Sequence, residues 1–493
     1  MTNSSLQKAA SIALNTLQVA DASGSFLSTA DIATARSIFT QGLLNSKADL
    51  TKPVGIVLPR DHRYLIVILS CIELGITFVP LNIEFPESRI NQIKLLAGIE
   101  VVIDEVYFSN DVDLVKNNNV NEQILALTEK NTTAYVIFTS GSTGAPKGVC
   151  ISNDSFSAFC VWVNAEFSAI SAEDRLLNLA EFSFDMSMLD VAICITRNAA
   201  MFFGNFSGNF FQLAYMVETF NISTLVSVPN NVNQILQDVI YKRSNFSSLK
   251  YLLLGGARFS AGLYNRLKEL RDLGQSITTY NLYGPTEATV YCAVKQLVFD
   301  SFEVQEGVLS IGSANPNSEL LLIDENGKVI LDSQTNGELL IGGSQVMLGY
   351  VNNPEKTNEA FVDLEGKRYY RSGDIAYFSK NGDFYLVGRV DDTLKVGGYR
   401  VNLGDIDSYF SRHKRIVDAA TIFVEEDDVN GYLVTYVTLD ESSDVDVKGI
   451  EDEMRTTLAY YQMPKFILPI NSLPLNSSGK ICKLSLKKLF KSS

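Results

Sequence analysis

Histidine is almost missing from this sequence: His62 and His413 are the only two in 493 residues. A Ser-His-Asp hydrolase or a histidine-ligated metal enzyme would have hardly any material to work with. Both histidines are expected at a surface or a helix end. Cysteine is sparse and scattered. The six (Cys71, Cys150, Cys160, Cys194, Cys292 and Cys482) form no C-x-x-C pair. That argues against a zinc site or a disulfide framework and suits a reduced, cytoplasmic chain. Positive charge is in the minority, with 41 Lys and Arg against 56 Asp and Glu and a net charge of −15. Nonspecific binding to nucleic acid or anionic membrane is therefore disfavoured. No apolar run reaches the roughly 18 residues that span a bilayer, the longest candidates being Tyr64–Leu74 and Tyr251–Leu254. The start, Met1-Thr2-Asn3-Ser4-Ser5, is polar and has no basic segment before an apolar one, so no signal peptide is expected. The expectation is a chain with no nucleic-acid partner and no membrane insertion.

What is present is a large apolar fraction, 46%, and a length that allows two or three domains. Alanine and leucine spacing around Ile12–Val19 and Ile32–Leu44 suggests helices. Val54–Leu58 reads as a strand, Tyr64–Leu74 as an apolar helix, Ile76–Leu81 as a strand and Val101–Asp104 as another. This alternation suggests α/β architecture with parallel sheets. Asp111–Gln123, with asparagines at 117–119, reads as a polar surface connection. Near the other end, Ala419–Val424, Gly431–Thr438 and Ile450–Leu458 read as alternating strands and helix.

One stretch organises the rest. Tyr135-Val136-Ile137-Phe138 is a buried-type strand that runs into Thr139-Ser140-Gly141-Ser142-Thr143-Gly144-Ala145-Pro146-Lys147-Gly148. Three glycines, four hydroxyls and one lysine in those ten residues can all turn toward phosphate oxygens. Glycine allows the backbone angles of an anion-binding concavity, and the ammonium adds a point charge. The spacing is not that of a Walker loop, because Gly148 rather than Ser or Thr follows Lys147. A flexible surface loop is the plain alternative.

The stretch resembles the phosphate loop of the adenylate-forming (AMP-binding) enzymes, a family that includes acyl-CoA synthetases, luciferases and nonribosomal peptide synthetase adenylation domains. Further strings resemble that family in its own order: LGITFVPLNIEFPESRI, Phe184-Asp185-Met186-Ser187, Asn281-Leu282-Tyr283-Gly284-Pro285-Thr286-Glu287, Gly337–Gly343 with Gly349-Tyr350, Tyr370-Arg371-Ser372-Gly373-Asp374, Gly388–Arg400 and Asn476-Ser477-Ser478-Gly479-Lys480. The resemblance covers about Gly55 to Lys483.

It implies a fold and a set of roles. The fold is α/β. A large N-terminal domain, 1–390, would carry parallel and mixed sheets flanked by helices plus a small β subdomain. A small mobile α+β C-terminal domain, 391–493, would carry the catalytic lysine. The substrates would be ATP and an acid, with Mg²⁺. ATP would be held by Thr139, Ser140, Gly141, Ser142, Thr143, Gly144 and Lys147, by Gly256, Ala257 and Arg258 under the adenine, by Asn281, Leu282, Tyr283 and Gly284, by Asp374 on the ribose hydroxyls and by Arg389. Many relatives have an acid just after the glycines, where this chain has Ala257-Arg258. Thr286 would contact the α-phosphate, Glu287 the Mg²⁺, and Lys480 the substrate carboxylate and α-phosphate. Asp391 would be the hinge, with Lys395 and Gly398 on the face used for thioester formation.

Asp185 decides the substrate class in this reading. A lone acid after an apolar run ordinarily caps a helix. In the amino-acid-activating branch of the family the matching aspartate pairs with the substrate ammonium, which a fatty or aryl acid lacks. A partly buried cation needs a fixed anion, or its desolvation is too costly. The specificity positions carried over are Asp185, Met186, Leu189, Ser227, Leu253, Gly255, Leu282, Val290 and Tyr291. That wall is apolar and bulky and implies a small neutral amino acid of glycine, alanine or proline type. A second resemblance, through FTSGSTGAPKGVCISNDSFSAFCVW and FSFDMSMLD, is to D-alanine–carrier protein ligases. Their usual Cys-Gly is replaced here by Gly255-Gly256.

No carrier-protein site is found in the sequence. A free-standing enzyme is therefore expected, loading the phosphopantetheine arm of a separate carrier protein. The basic tail Lys480–Lys491 is either a docking patch for an acidic carrier or a solvated end. An acyl- or aryl-CoA ligase is the competing enzyme class, and a non-catalytic binding relative the competing non-enzyme class.

Overall fold

The computed structural model describes residues 3–20, 23–109, 120–128, 130–139, 146–204, 210–229, 231–233, 235–236, 246–257, 259, 261–299, 309–390, 393–411, 413, 416–426, 431–439, 447–474 and 481–492. The chain forms two compact units. The larger comprises residues 1–83, 94–137 and 148–388, and the smaller comprises 84–93, 138–147 and 389–493.

Three sheets build the larger unit. The first runs, in spatial order, Gly349–Tyr350, Lys147–Ser152, Thr133–Thr139, Phe78–Pro80, Val54–Ile56 and Val101–Ile103. Its last four strands are parallel. The second runs Ser313–Ala314, Ala293–Gln296, Thr278–Tyr283, Tyr251–Gly255, Thr224–Ser227, Arg175–Asn178 and Ala200–Phe203. Its last five strands are parallel and its first two antiparallel. The third is antiparallel, around Gly337–Gly343 and the long strand Lys367–Phe378. Parallel strands covered on both faces read as continuous apolar runs. Val54–Ile56, Phe78–Pro80 and Ala200–Phe203 are accordingly buried at every position.

The helices obey local signals. His62–Leu74 starts on Asp61, whose side chain accepts from the Arg63 N–H, and stops at Gly75 in the left-handed region at φ +67°. Asn153–Glu166 starts on Ser152, whose hydroxyl accepts from the Ser155 N–H. The expected helices near the N-terminus are Asn3–Thr16 and Thr29–Ser46. One expectation needs correction. Part of the stretch read as a polar connection is helical, Val120–Thr128, while 110–119 lie outside the described residues. Ile124 is fully buried and the Thr128 hydroxyl donates to the Leu74 carbonyl at 2.5 Å. Tertiary packing holds a helix that polar composition conceals.

In the smaller unit Ile416–Glu425 pairs antiparallel with Gly431–Leu439, which pairs parallel with Phe466–Pro469. Val447–Arg455 is the helix expected around Ile450. Thr393–Val396 and Tyr399–Asn402 form a hairpin closed by Gly397 at φ +56° and Gly398 at φ +89°. A two-residue turn with both angles positive matches strand twist and requires glycine-like residues. His62 opens its helix, and His413 follows Leu403–Ser411 with Nε2 3.2 Å from Glu453.

Candidate functional site

The strands Tyr251–Gly255 and Thr278–Tyr283 lie side by side and parallel in the second sheet. Open α/β sheets bind ligands beyond the carboxyl ends of such strands. Here those ends are Gly255-Gly256 and Tyr283-Gly284-Pro285-Thr286-Glu287, so two of the expected motifs emerge at one edge.

Tyr283 reaches from this edge to the third sheet. Its hydroxyl donates to Asp374 Oδ2 at 2.5 Å. Burial, and then the Asp374 charge, push the phenol well above its ordinary pKa, so it stays a donor. Asp374 is itself set in place: its N–H donates to the Ser372 hydroxyl at 3.0 Å, and that hydroxyl donates to the Leu339 carbonyl at 2.6 Å. Serine in place of threonine at 372 thus keeps the hydroxyl that organises the turn. Asn281 Nδ2 donates to the Ser310 carbonyl at 2.8 Å.

Thr286–Ala288 form a single 3-10 turn, and Thr289 and Val290 follow with φ of +54° and +69°. Two consecutive non-glycine residues in the left-handed region store strain that the surroundings must hold. Gln345, wholly buried, does this. Its Nε2 donates to the Tyr291 carbonyl at 3.0 Å, its Oε1 accepts from Asn315 Nδ2 at 2.8 Å, and its own carbonyl accepts from the Thr289 hydroxyl at 2.5 Å. Asn315 Nδ2 also donates to the Tyr291 carbonyl, at 3.1 Å. Glu287 is only 1% exposed, and its Oε1 accepts from the Tyr350 hydroxyl at 2.8 Å.

The remaining expected residues of this unit are buried or packed against the two strand-end glycines. Met186 is the N-cap of the helix Ser187–Arg197, and the Asp185 carbonyl just before it accepts from the Met188 N–H at 2.8 Å. Asp185 is 7% exposed. Its charge, after burial, helps push the hydroxyls of Tyr135 and Tyr291 well above their ordinary pKa. Neither hydroxyl has a hydrogen-bond partner among the described residues. Leu189, Ser227, Leu253, Leu282 and Val290 are all buried. A Cβ on Gly255 would stand 2.4 Å from Tyr291 Cε1, and one on Gly256, at φ +77°, 2.9 Å from Met186 Cε. Val228 and Phe184 also line Gly256. Tyr291 thus packs directly on Gly255 and Met186 on Gly256, with no room for a side chain at either glycine.

Asp190, Asn178 and Arg60 belong to this region and were missed from the sequence. Arg60 Nη1 donates to the backbone carbonyl of Asn178 at 2.7 Å and to its side-chain oxygen at 3.2 Å. Arg60 Nε donates to Glu181 at 3.0 Å, and Nη2 donates to the Gly204 carbonyl. Asn178 Nδ2 is thereby turned to donate to Asp190 Oδ2 at 2.6 Å. Burial raises the Asp190 carboxyl to about 8, so it is mostly neutral at pH 7. One signal could have found it: Met186, Leu189 and Asp190 share a helix face at i, i+3 and i+4.

Other expected residues fall elsewhere. Thr139 ends one strand of the first sheet and Lys147 begins another, while Arg389, Lys395 and Gly398 belong to the smaller unit, the last two in its glycine-turned hairpin. Ser140, Gly141, Ser142, Thr143, Gly144, Arg258, Asp391 and Lys480 lie outside the described residues. Ala257 is described and partly buried. No helix among the described residues is long and apolar enough to cross a membrane.

Comparison with known proteins agrees with this arrangement. Residues 16–351 match the family AMP-binding enzyme. A dimodular nonribosomal peptide synthase of Bacillus subtilis is 30% identical over 88% of this chain. The chain spans only 18% of that protein and 9% of bacitracin synthase 1 of Bacillus licheniformis. A D-alanine–D-alanyl carrier protein ligase of Bacillus licheniformis is 27% identical over 85% of this chain and 86% of its own length. The adenylation domain AlmE of Vibrio cholerae, solved with glycyl-adenosine-5′-phosphate, superposes with a TM-score of 0.81 at 21% identity, covering 100% of this chain and 99% of that one. The fold is thus that of the adenylate-forming enzymes. The chain belongs to the AMP-binding enzyme family and is homologous to nonribosomal peptide synthetase adenylation domains and to D-alanine–carrier protein ligases.

Proposed function

We propose that this chain is an AMP-forming ligase that activates a small neutral amino acid and passes it to the phosphopantetheine thiol of a separate carrier protein. The observation that carries the reading is a buried carboxylate, Asp185, whose charge acts on Tyr291, the ring that packs against Gly255. A buried carboxylate suits an ammonium, and the bulky wall suits a small side chain.

In the first half-reaction a carboxylate oxygen of the amino acid attacks the α-phosphorus of ATP. The bond from that phosphorus to the bridging oxygen breaks, and pyrophosphate leaves. Asp185 holds the ammonium, and Asp374, bonded to Tyr283 and Ser372, is assigned to the ribose hydroxyls. Lys480 is assigned to the two meeting anions. Charge neutralisation and positioning are what such a step needs. Glu287 fits magnesium in kind: it is a fixed oxygen ligand, and that ion commonly takes one or two carboxylates plus phosphates and water. Bound there, the ion would neutralise phosphate charge. In the second half-reaction the carrier thiol loses its proton and its sulfur attacks the acyl carbon, and AMP leaves. Asp391 as hinge, between an N-terminal domain 1–390 and a C-terminal domain 391–493, and Lys395 with Gly398 on the working face belong to this step.

D-alanine is the second reading. It is favoured by the D-alanyl carrier protein ligases, which match this chain over most of their own length. The test is ATP–pyrophosphate exchange across glycine, both alanines, proline, the larger amino acids and a set of aryl and fatty acids. Exchange led by glycine, alanine or proline is expected, and D-alanine alone would select the second reading. Exchange only with acids lacking an amino group would move the chain to the acyl-CoA ligase class.

A further inference from the structure

The turn that carries Glu287 is also held by the segment just after Gln345, Met347 to Tyr350. Met347 N–H donates to the Glu287 carbonyl at 2.8 Å, and the Tyr350 hydroxyl donates to Glu287 Oε1 at 2.8 Å. One short segment therefore grips both the backbone and the carboxylate of the same residue. Tyr350 is anchored in turn. Its N–H donates to the Thr357 hydroxyl at 2.9 Å, its carbonyl accepts from the Asn353 N–H at 3.2 Å, and it pairs with Val149 in the first sheet. Its phenol thus enters from one sheet to meet a carboxylate at the edge of another. Phenylalanine would keep the ring packing but not the hydroxyl's bond to Glu287 Oε1.

We propose that Tyr350 is the positioning residue for the Glu287 carboxylate: its hydroxyl holds Oε1 and fixes the side-chain orientation for a divalent cation that accompanies ATP. This rests on the reading of Glu287 as the magnesium carboxylate. Partners of this kind behind a metal ligand typically change metal affinity by about 10- to 100-fold.

The test is calorimetric binding of ATP to the whole protein across a range of free Mg²⁺, for wild type, Tyr350→Phe, Glu287→Gln and the double variant. Tyr350→Phe should raise the Mg²⁺ concentration at half-effect by about tenfold or more. ATP binding in EDTA should stay at the wild-type value. Adding Tyr350→Phe to Glu287→Gln should change nothing further. The gain in melting temperature on adding Mg²⁺ and ATP should shrink in Tyr350→Phe, which reads the same effect independently of turnover. A Tyr350→Phe curve that overlays wild type while Glu287→Gln shifts would overturn the role of Tyr350 alone. A Glu287→Gln curve that overlays wild type would overturn the metal reading of Glu287 and the proposal with it. Equal weakening of ATP binding with and without Mg²⁺ would mark Tyr350 as merely structural and also overturn it.

Discussion

The ring of Tyr291 stands where a side chain on Gly255 would have to be: a Cβ there would lie 2.4 Å from Cε1 and 2.6 Å from the hydroxyl oxygen. The missing side chain at Gly255 therefore sets where the Tyr291 ring, on which the Asp185 charge acts, can sit. Gly255→Ala should push the ring aside and destabilise the fold by about 1–3 kcal/mol, the usual cost of overpacking. It should also raise the amino acid KM. Tyr291→Ala should act in the opposite sense and admit leucine or phenylalanine in pyrophosphate exchange. Unchanged selectivity in both variants would remove the pair from the substrate wall.

Gln345 joins the strained turn to the third-sheet side of the molecule, and its loss should be costly. Gln345→Leu keeps volume but leaves one amide hydrogen of Asn315 without its acceptor and takes from the Tyr291 carbonyl one of its two side-chain donors. The expected loss is about 1–3 kcal/mol, the cost of one buried donor left without a partner. Urea unfolding midpoints measure it. The amino acid KM should rise more than the ATP KM, because the displaced residues are Val290 and Tyr291. A midpoint within error of wild type would contradict the assignment.

Asp190 gives the protein a pH signature. Its folded-state pKa is raised to about 8 by burial, from an ordinary 3.8. Between those values the folded state binds a proton that the unfolded state has released. Stability then falls as pH rises, by up to about 1.4 kcal/mol per pH unit from this group. Below the ordinary value the penalty vanishes. Asp190→Asn keeps an oxygen for Asn178 and removes the titration. Relative to wild type, this variant should gain urea midpoint steadily from pH 5 to pH 8. A constant difference across that range would show that Asp190 does not titrate there.

The motif residues were legible because each string is contiguous and chemically unusual. Tyr283-Gly284-Pro285-Thr286-Glu287 announces a tight turn with a carboxylate, and the structure sets it at a strand end. Alternation around Val54, Tyr64 and Phe78 likewise announced parallel α/β layers. What sequence could not reach were partnerships across long separations. Tyr350 meets Glu287 from 63 residues away, Asn178 meets Arg60 from 118, and Asp374 meets Tyr283 from 91. Their residue types are ordinary, and only the fold brings them together. The helix Val120–Thr128 was hidden for a related reason: its support comes from burial of Ile124 rather than from its polar surroundings.

The central claim is that Asp185 selects acids bearing an α-ammonium. The direct measurement compares kcat/KM for alanine and propionate, which differ only in that group, in wild type and in Asp185→Asn. Wild type should favour alanine by about 2–5 kcal/mol, roughly 30- to 4,000-fold, as a buried charge pair requires. Asp185→Asn should bring the two acids close to parity while leaving the ATP KM near wild type. An alanine preference that survives the substitution undiminished would contradict the account.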